Sequence, residues 1–222
     1  MSDDLLPLLA VGLGETVYMV ILTTVSSLFL GLPLGVALVV TEPGHIMAAP
    51  RLNKVLGTMV NITRSFPTII LIVVLLPLSR LLVGTTLGAT AAVVPLSIGS
   101  APFLARIIEN SLKEIDRGKI EAGLAVGATP MEIIRKVMIP ECLASLTLGI
   151  TMAVIMITGF TATAGAIGAG GLGSLAVRFG YQRYRTDVML ATLVVLVVLV
   201  QSIQWGGNLI ARRINKNRHK FS

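Results

Sequence analysis

Four stretches of this chain carry no Asp, Glu, Lys or Arg: Val17–Val40, Leu81–Ala105, Cys142–Val177 and Val188–Ala211. Each exceeds the roughly 20 residues a helix needs to cross the hydrocarbon core of a bilayer. Lipid offers no partner to backbone N–H and C=O groups, so runs of this length can cross only as helices. A fifth uncharged run, Ser65–Ser79, is shorter; extended back through Val60, Asn61 and Ile62 it spans if Arg64 snorkels toward a headgroup. The expected fold class is therefore an all-α membrane protein with five transmembrane helices, at about 17–40, 58–79, 81–105, 142–168 and 188–211. A charged content of 13% fits, because ordinary soluble domains carry about 25%.

Charge then orients the bundle. Five spans put the two ends on opposite sides. With the C-terminus in the cytoplasm, Arg51, Lys54, Arg64, Arg106, Lys113, Arg117, Lys119, Arg135, Lys136 and the tail from Arg212 to Lys220 lie inside, and only Arg80, Arg178, Arg183 and Arg185 lie outside. This is the positive-inside asymmetry. It accounts for the net charge of +7 without nucleic acid as a partner. Asp3, Asp4 and Glu15 suit an external N-terminal segment, residues 1–16, lying along the outer surface; residues 212–222 read as a basic cytoplasmic tail. No basic stretch precedes the first apolar run, so a cleaved signal peptide is not expected.

The one long polar-punctuated stretch inside this apolar chain is Glu121 to Glu141, EAGLAVGATPMEIIRKVMIPE. Local chemistry bounds two short helices there, an elbow over 119–140. Lys119 to Val126 can form the first, and Gly127 suits the left-handed residue that ends a helix. Thr129, Pro130 and Glu132 fit a capping box: N-cap, first helical residue and reciprocal side chain. Ile133, Ile134, Val137 and Met138 share one side of the second helix, Arg135 and Lys136 another, and Pro140 is expected to close it.

Elsewhere the signals are weaker. Gly31, Pro33 and Gly35 in the first span permit a kink or a close neighbour. Thr41–His45 has turn chemistry, and His45 reads as a solvated loop side chain rather than a metal ligand. Asn61 to Pro67 brings polar groups and a missing backbone donor into the second span, with cavity-facing and interfacial placements equally open. Leu78-Ser79-Arg80 through Thr86 reads as the next external turn. The third span continues as a helix until Asp116-Arg117-Gly118 ends it. Cys142, the one cysteine, reads as a small apolar packing residue. Gly159, Thr161, Thr163 and Gly165 form a small-residue face that lines a pathway or packs helices. Gly168 to Gly173 matches the dinucleotide pattern G-x-G-x-x-G, but that pattern carries meaning only between a strand and a helix of a parallel sheet. Arg178 to Arg185, RFGYQRYR, reads as a headgroup anchor or a contact for an external partner. No phosphate-binding loop of the G-x-x-x-x-G-K-[ST] type occurs, and no metal-ligand cluster is apparent.

Glu121-Ala122-Gly123, then Gly127, then Val137-Met138-Ile139-Pro140 resembles the "EAA" signature of ABC-importer permease subunits, with departures at Gly123 (Ala in the signature), Val137 (Ile) and Ile139 (Leu). The stretches NITRSFPTIILIVVLLPLSRLLVGT, AAVVPLSIGSAPFLARIIEN, AGAIGAGGLG and GYQRYRTDVM are similar to the methionine-uptake branch of that family, and the likeness covers about residues 12–210. The resemblance implies a type I ABC importer permease fold over 17–211 that forms a homodimer. It implies two ATP-hydrolysing subunits on the cytoplasmic side, which hold the ATP and Mg, and an external substrate-binding protein or lipoprotein. In that family the elbow is the coupling helix, so Glu121, Ala122, Gly123, Gly127, Pro130 and Pro140 become its candidate residues. The implied cargo is methionine, D or L, or a related amino acid, moved inward across a bacterial cytoplasmic membrane by a chain with no catalytic group or cofactor of its own.

Other readings face the residues as follows. A stand-alone channel or secondary transporter usually requires more spans or an intramembrane acidic residue for ion coupling, and the span cores have none. An intramembrane enzyme needs convergent His, Asp, Glu or Ser groups, whereas His45 and His219 both fall in polar segments. A permease of the same architecture for another small solute stays open.

Overall fold

A computed structural model describes residues 5–218; Asp3, Asp4, His219 and Lys220, all weighed above, lie outside the described residues. The described chain is a bundle of helices. Four of them are long and apolar enough to cross a membrane, and a bent pair supplies a fifth crossing if it counts as one span.

Helix α1 runs unbroken over Leu5–Val40, so residues 5–16, expected as a separate surface segment, are its first turns. It packs on α4 (Ala89–Lys113) through two glycines one turn apart. A Cβ on Gly31 would stand 2.9 Å from the Ala101 carbonyl oxygen, and one on Gly35 2.6 Å from that of Ala105. Without side chains there the backbones approach closely, the basis of helix pairing in lipid. Val39 and Val40 of α1 then join Ile108 and Leu112 of α4 in a buried cluster near one end of the bundle.

The second span departs most from expectation. In place of one helix over 58–79 the chain forms α2 (Pro50–Ser65) and α3 (Thr68–Val83), bent by 104° at Phe66-Pro67. Helical geometry is disfavoured for a residue before proline, and Phe66 is extended (φ −76°, ψ 131°). Pro67 is extended as well (φ −57°, ψ 132°), so two consecutive non-helical residues turn the chain. Leu78, Ser79 and Arg80, read above as a turn, belong to α3; it ends at Gly84, a left-handed residue (φ 84°) whose N–H donates to the Arg80 carbonyl at 2.9 Å. The third span accordingly starts at Ala89 rather than Leu81.

After α4, Asp116 begins a helix instead of ending one: its carboxylate accepts the Gly118 N–H at 2.7 Å and caps α5 (Arg117–Ala125). The chain then turns into α6 (Pro130–Glu132), a π-helical stretch at Ile133–Met138, and α7 (Ile139–Ala164) without a break. Pro140 therefore does not close the second elbow helix. The Ile139 N–H reaches the Ile134 carbonyl, a five-residue spacing, and this widened turn takes in a residue that lacks a donor. Within the following stretch, Gly165–Ala169, the helix breaks at Ile167 and Gly168. A short α8 (Gly171–Leu175) and a π-turn, Ala176–Tyr181, lead to α9 (Thr186–Arg218). Helix α9 carries the basic tail as far as Arg218 as a continuation of the last span.

Candidate functional site

The elbow is assembled by three local devices. Gly127 adopts φ 78°, closed to most side chains, and its N–H donates to the Leu124 carbonyl at 2.9 Å, ending α5. Thr129 Oγ1 accepts the Glu132 N–H at 3.4 Å, while Glu132 accepts the Thr129 N–H at 3.1 Å. That is the reciprocal capping box, with Pro130 at the first helical position. Lys119 of α5 pairs with Glu141 at the start of α7, holding the two arms of the elbow together.

Burial divides the elbow into a root and a tip. Ile120, Ile133, Ile134 and Met138 are buried with Ile108, Leu112 and Ile115 of α4 and its C-terminal turn, so apolar packing seats the elbow on the bundle. On the tip, Glu121, Ala122, Gly127 and Pro130 are exposed. Beside them Leu124, Val126 and Met131 are exposed at 47%, 84% and 57%, an apolar patch edged by Arg135 and Lys136. The sequence reading missed these three; α5 periodicity could have signalled Leu124 once the helix start is known, but not Val126 at the cap or Met131 in α6. Gly123 is half-buried and faces the other arm: a Cβ there would meet Ile133 Cγ1 at 3.4 Å and Val137 Cγ2 at 3.9 Å. It belongs to the seam between the arms. Pro140 is exposed but lies beyond the tip, inside the continuous helix.

Behind the elbow a polar network crosses three elements. Glu109, buried in α4, accepts from Arg106 at 2.6 Å and from Lys113 at 2.9 Å, and Lys113 also pairs with Glu42 after α1 at 2.5 Å. Arg106 donates to Asn61 Oδ1 of α2 at 2.8 Å, so Asn61, itself exposed, ties α2 to α4. Burial depresses the proton affinity of His45 in the same region, Glu42 raises it less, and Arg117 lowers it further, so the neutral imidazole is favoured.

The small-residue face of α7 splits in two. Thr161 and Gly165 are buried, the glycine so tightly against Gly170 and Ser174 that a Cβ would stand 2.5 Å from the Ser174 nitrogen. Gly159 is exposed with open space before it, and Thr163 is half-buried with its hydroxyl on the Gly159 carbonyl. Only the latter pair faces away from the packed bundle. The glycine-rich segment that follows binds protein: the Gly171 and Leu172 N–H groups donate to Glu15 and Thr16 of α1. In RFGYQRYR, Arg183 stacks on Phe179 at 4.7 Å and Arg185 pairs with Asp187, with Tyr181 and Tyr184 exposed. Among the described residues no three His, Cys, Asp or Glu side chains gather as metal ligands would.

A helical bundle with membrane-spanning helices and a capped, apolar-tipped elbow fits an integral membrane component of a transport system. The chain belongs to the family of binding-protein-dependent transport system inner membrane components, matched over residues 31–216. It is 43% identical over 208 residues to the probable D-methionine transport system permease protein MetI of Vibrio cholerae, covering 94% of this chain and 92% of the relative. It is 46% identical over 165 residues to the D-methionine transport system permease protein MetI of Escherichia coli K12, covering 74% and 76%. Its fold superimposes with a TM-score of 0.95, at 46% identity over 96% of this chain and 99% of the other, on a chain of the MetNI methionine ABC transporter in inward-facing conformations. An amino acid ABC transporter crystallised with histidines, 20% identical with a TM-score of 0.76, shares the fold.

Proposed function

We propose that this chain is the permease subunit of an ATP-driven importer that moves methionine, D or L, inward across the cytoplasmic membrane. The observation that carries the reading is the elbow: capped at both arms, seated by buried isoleucines, and presenting Leu124, Val126 and Met131 outward where a partner would cover them. An exposed apolar patch with a charged rim suits a protein interface. The partner is an ATP-hydrolysing subunit, which supplies the ATP and Mg site, since this sequence has no phosphate-binding loop. Two copies of the chain pair around the path, and Gly159 and Thr163 face it. A substrate-binding protein delivers the cargo at the opposite end, where Arg183 and Arg185 lie beside α1 residues Leu8 and Glu15.

Orientation follows from charge. Asn215 near the C-terminal end of α9 lines a crevice with Glu114 and Glu141, so that end of the helix and the elbow share one side. That side carries most of the lysines and arginines, which supports a cytoplasmic elbow and C-terminus and an N-terminus outside.

The test is purification of the tagged chain in mild detergent with its co-expressed ATPase, followed by reconstitution with the binding protein in liposomes. ATP-dependent accumulation of labelled methionine is expected. A chain that purifies alone and conducts without ATP would make it a channel instead.

A further inference from the structure

The break between α2 and α3 opens a cavity of about 190 Å³ that no feature of the elbow explains. It is small beside the roughly 300–1,000 Å³ of drug-sized sites, a scale that suits one amino acid. One wall is polar: Arg64 at the end of α2, with Thr63, and Thr68 in the first turn of α3. No side chain caps the start of α3, so its first N–H groups and the helix dipole act on the same space as the guanidinium. The opposite walls are apolar and soft: Phe66, Phe103, Met156 and Phe160.

The cavity lies against Pro95 to Phe103 of α4, which at 1.5 Å per residue is about 9–21 Å from the first residue of that helix. Arg64 is exposed in the single chain, and an arginine beside apolar walls near a span is normally paired. Among the described residues no carboxylate pairs with Arg64; its guanidinium stands 5.9 Å from the Phe103 ring centroid. A cation so held, beside an uncapped helix start, lacks an anion.

We propose that this cavity is a substrate site within the permease: Arg64 and the start of α3 take the α-carboxylate, and Phe66, Phe103, Met156 and Phe160 take an apolar, thioether-bearing side chain. Aromatic edges and a polarizable methionine suit a thioether sulfur. The inference rests on the importer reading above, and names the residues that hold the cargo in transit.

Two measurements test it in the complete complex with its ATPase. In liposomes with the binding protein, Arg64→Gln is expected to lower methionine uptake at least tenfold while ATP hydrolysis in the absence of substrate stays within twofold, and Arg64→Lys recovers part of the uptake. In a Cys142→Ala background, Met156→Cys is expected to react with a maleimide several-fold more slowly in millimolar methionine. The decarboxylated analogue 3-(methylthio)propylamine is expected to give no such protection. Uptake by Arg64→Gln within twofold of wild type, or labelling of Met156→Cys that methionine leaves unchanged, overturns the site while the importer reading stands. A wild-type complex that imports no methionine overturns both. If Arg64→Gln fails to assemble, the labelling result alone decides.

Discussion

The Gly171 N–H donates to Glu15 Oε2 at 2.5 Å, joining α1 to the start of α8 across most of the chain length. Beside it the Leu172 N–H donates to Thr16 Oγ1 at 2.9 Å. Two adjacent side chains of one helix thus satisfy the first two donors of another. A carboxylate stands just before the start of the first apolar run because the glycines bring backbone N–H groups to it; a Cβ on Gly170 would stand 2.5 Å from the same oxygen.

Glu15→Ala is expected to release α8. A hydrogen bond to a charged group contributes about 1.5–3 kcal/mol, and a half-buried carboxylate belongs at the lower end. The melting temperature of the purified protein should fall by several degrees, with faster hydrogen exchange confined to Gly171–Leu175. Unchanged exchange there would show that packing alone holds the segment.

At the elbow, Gly127→Pro demands φ near −65° where the chain has 78° and deletes the donor to Leu124. Insertion in the membrane should persist, while ATP-driven uptake falls at least tenfold. Gly127→Ala meets no atom within 4 Å and should cost only the left-handed penalty of about 1–2 kcal/mol, with most uptake retained. Normal uptake by the proline variant would remove the mechanical role of the turn.

Gly123→Ala tests the seam between the arms. The added methyl meets Ile133 at ordinary contact distance, and alanine favours a helix by about 1 kcal/mol over glycine. The variant should be slightly more stable and still transport. A lower melting temperature would mean that the arms cannot accept the methyl.

His45 gives a pH signature. Its folded proton affinity lies below that of the unfolded chain, whose pKa is about 6.5, so the unfolded state takes up the proton first. The stability it contributes is present above about pH 6.5 and is lost as pH falls below that value. Melting temperatures of wild type and His45→Gln should therefore converge on moving from pH 8 to pH 5.5. Parallel curves would show that the imidazole titrates as freely folded as unfolded.

The features legible from residues alone are those bounded by local chemistry. Long uncharged runs have to be helices in lipid. Gly127, Thr129, Pro130 and Glu132 specify their turn through bonds spanning three residues or fewer. The class of the apolar face of the second arm followed from helical spacing in the same way. The two prolines separate what was legible from what was not. Pro67 reads as a polar entry to one span and instead splits it, because Phe66 and Pro67 both become extended and the chain bends by 104°. Pro140 reads as a stop and instead sits in a continuous helix, because Ile133–Met138 widens to five-residue hydrogen bonding while Ile133, Ile134 and Met138 are held in the core. Sequence by itself determined the helical class, the number of apolar crossings to be accounted for and the elbow turn, since each depends on neighbours in the chain. Only tertiary packing decided which proline breaks a helix, which small residues at the end of α7 are buried, and that Arg64 stands beside a cavity with no carboxylate partner among the described residues, since each depends on groups that the chain brings together from far apart.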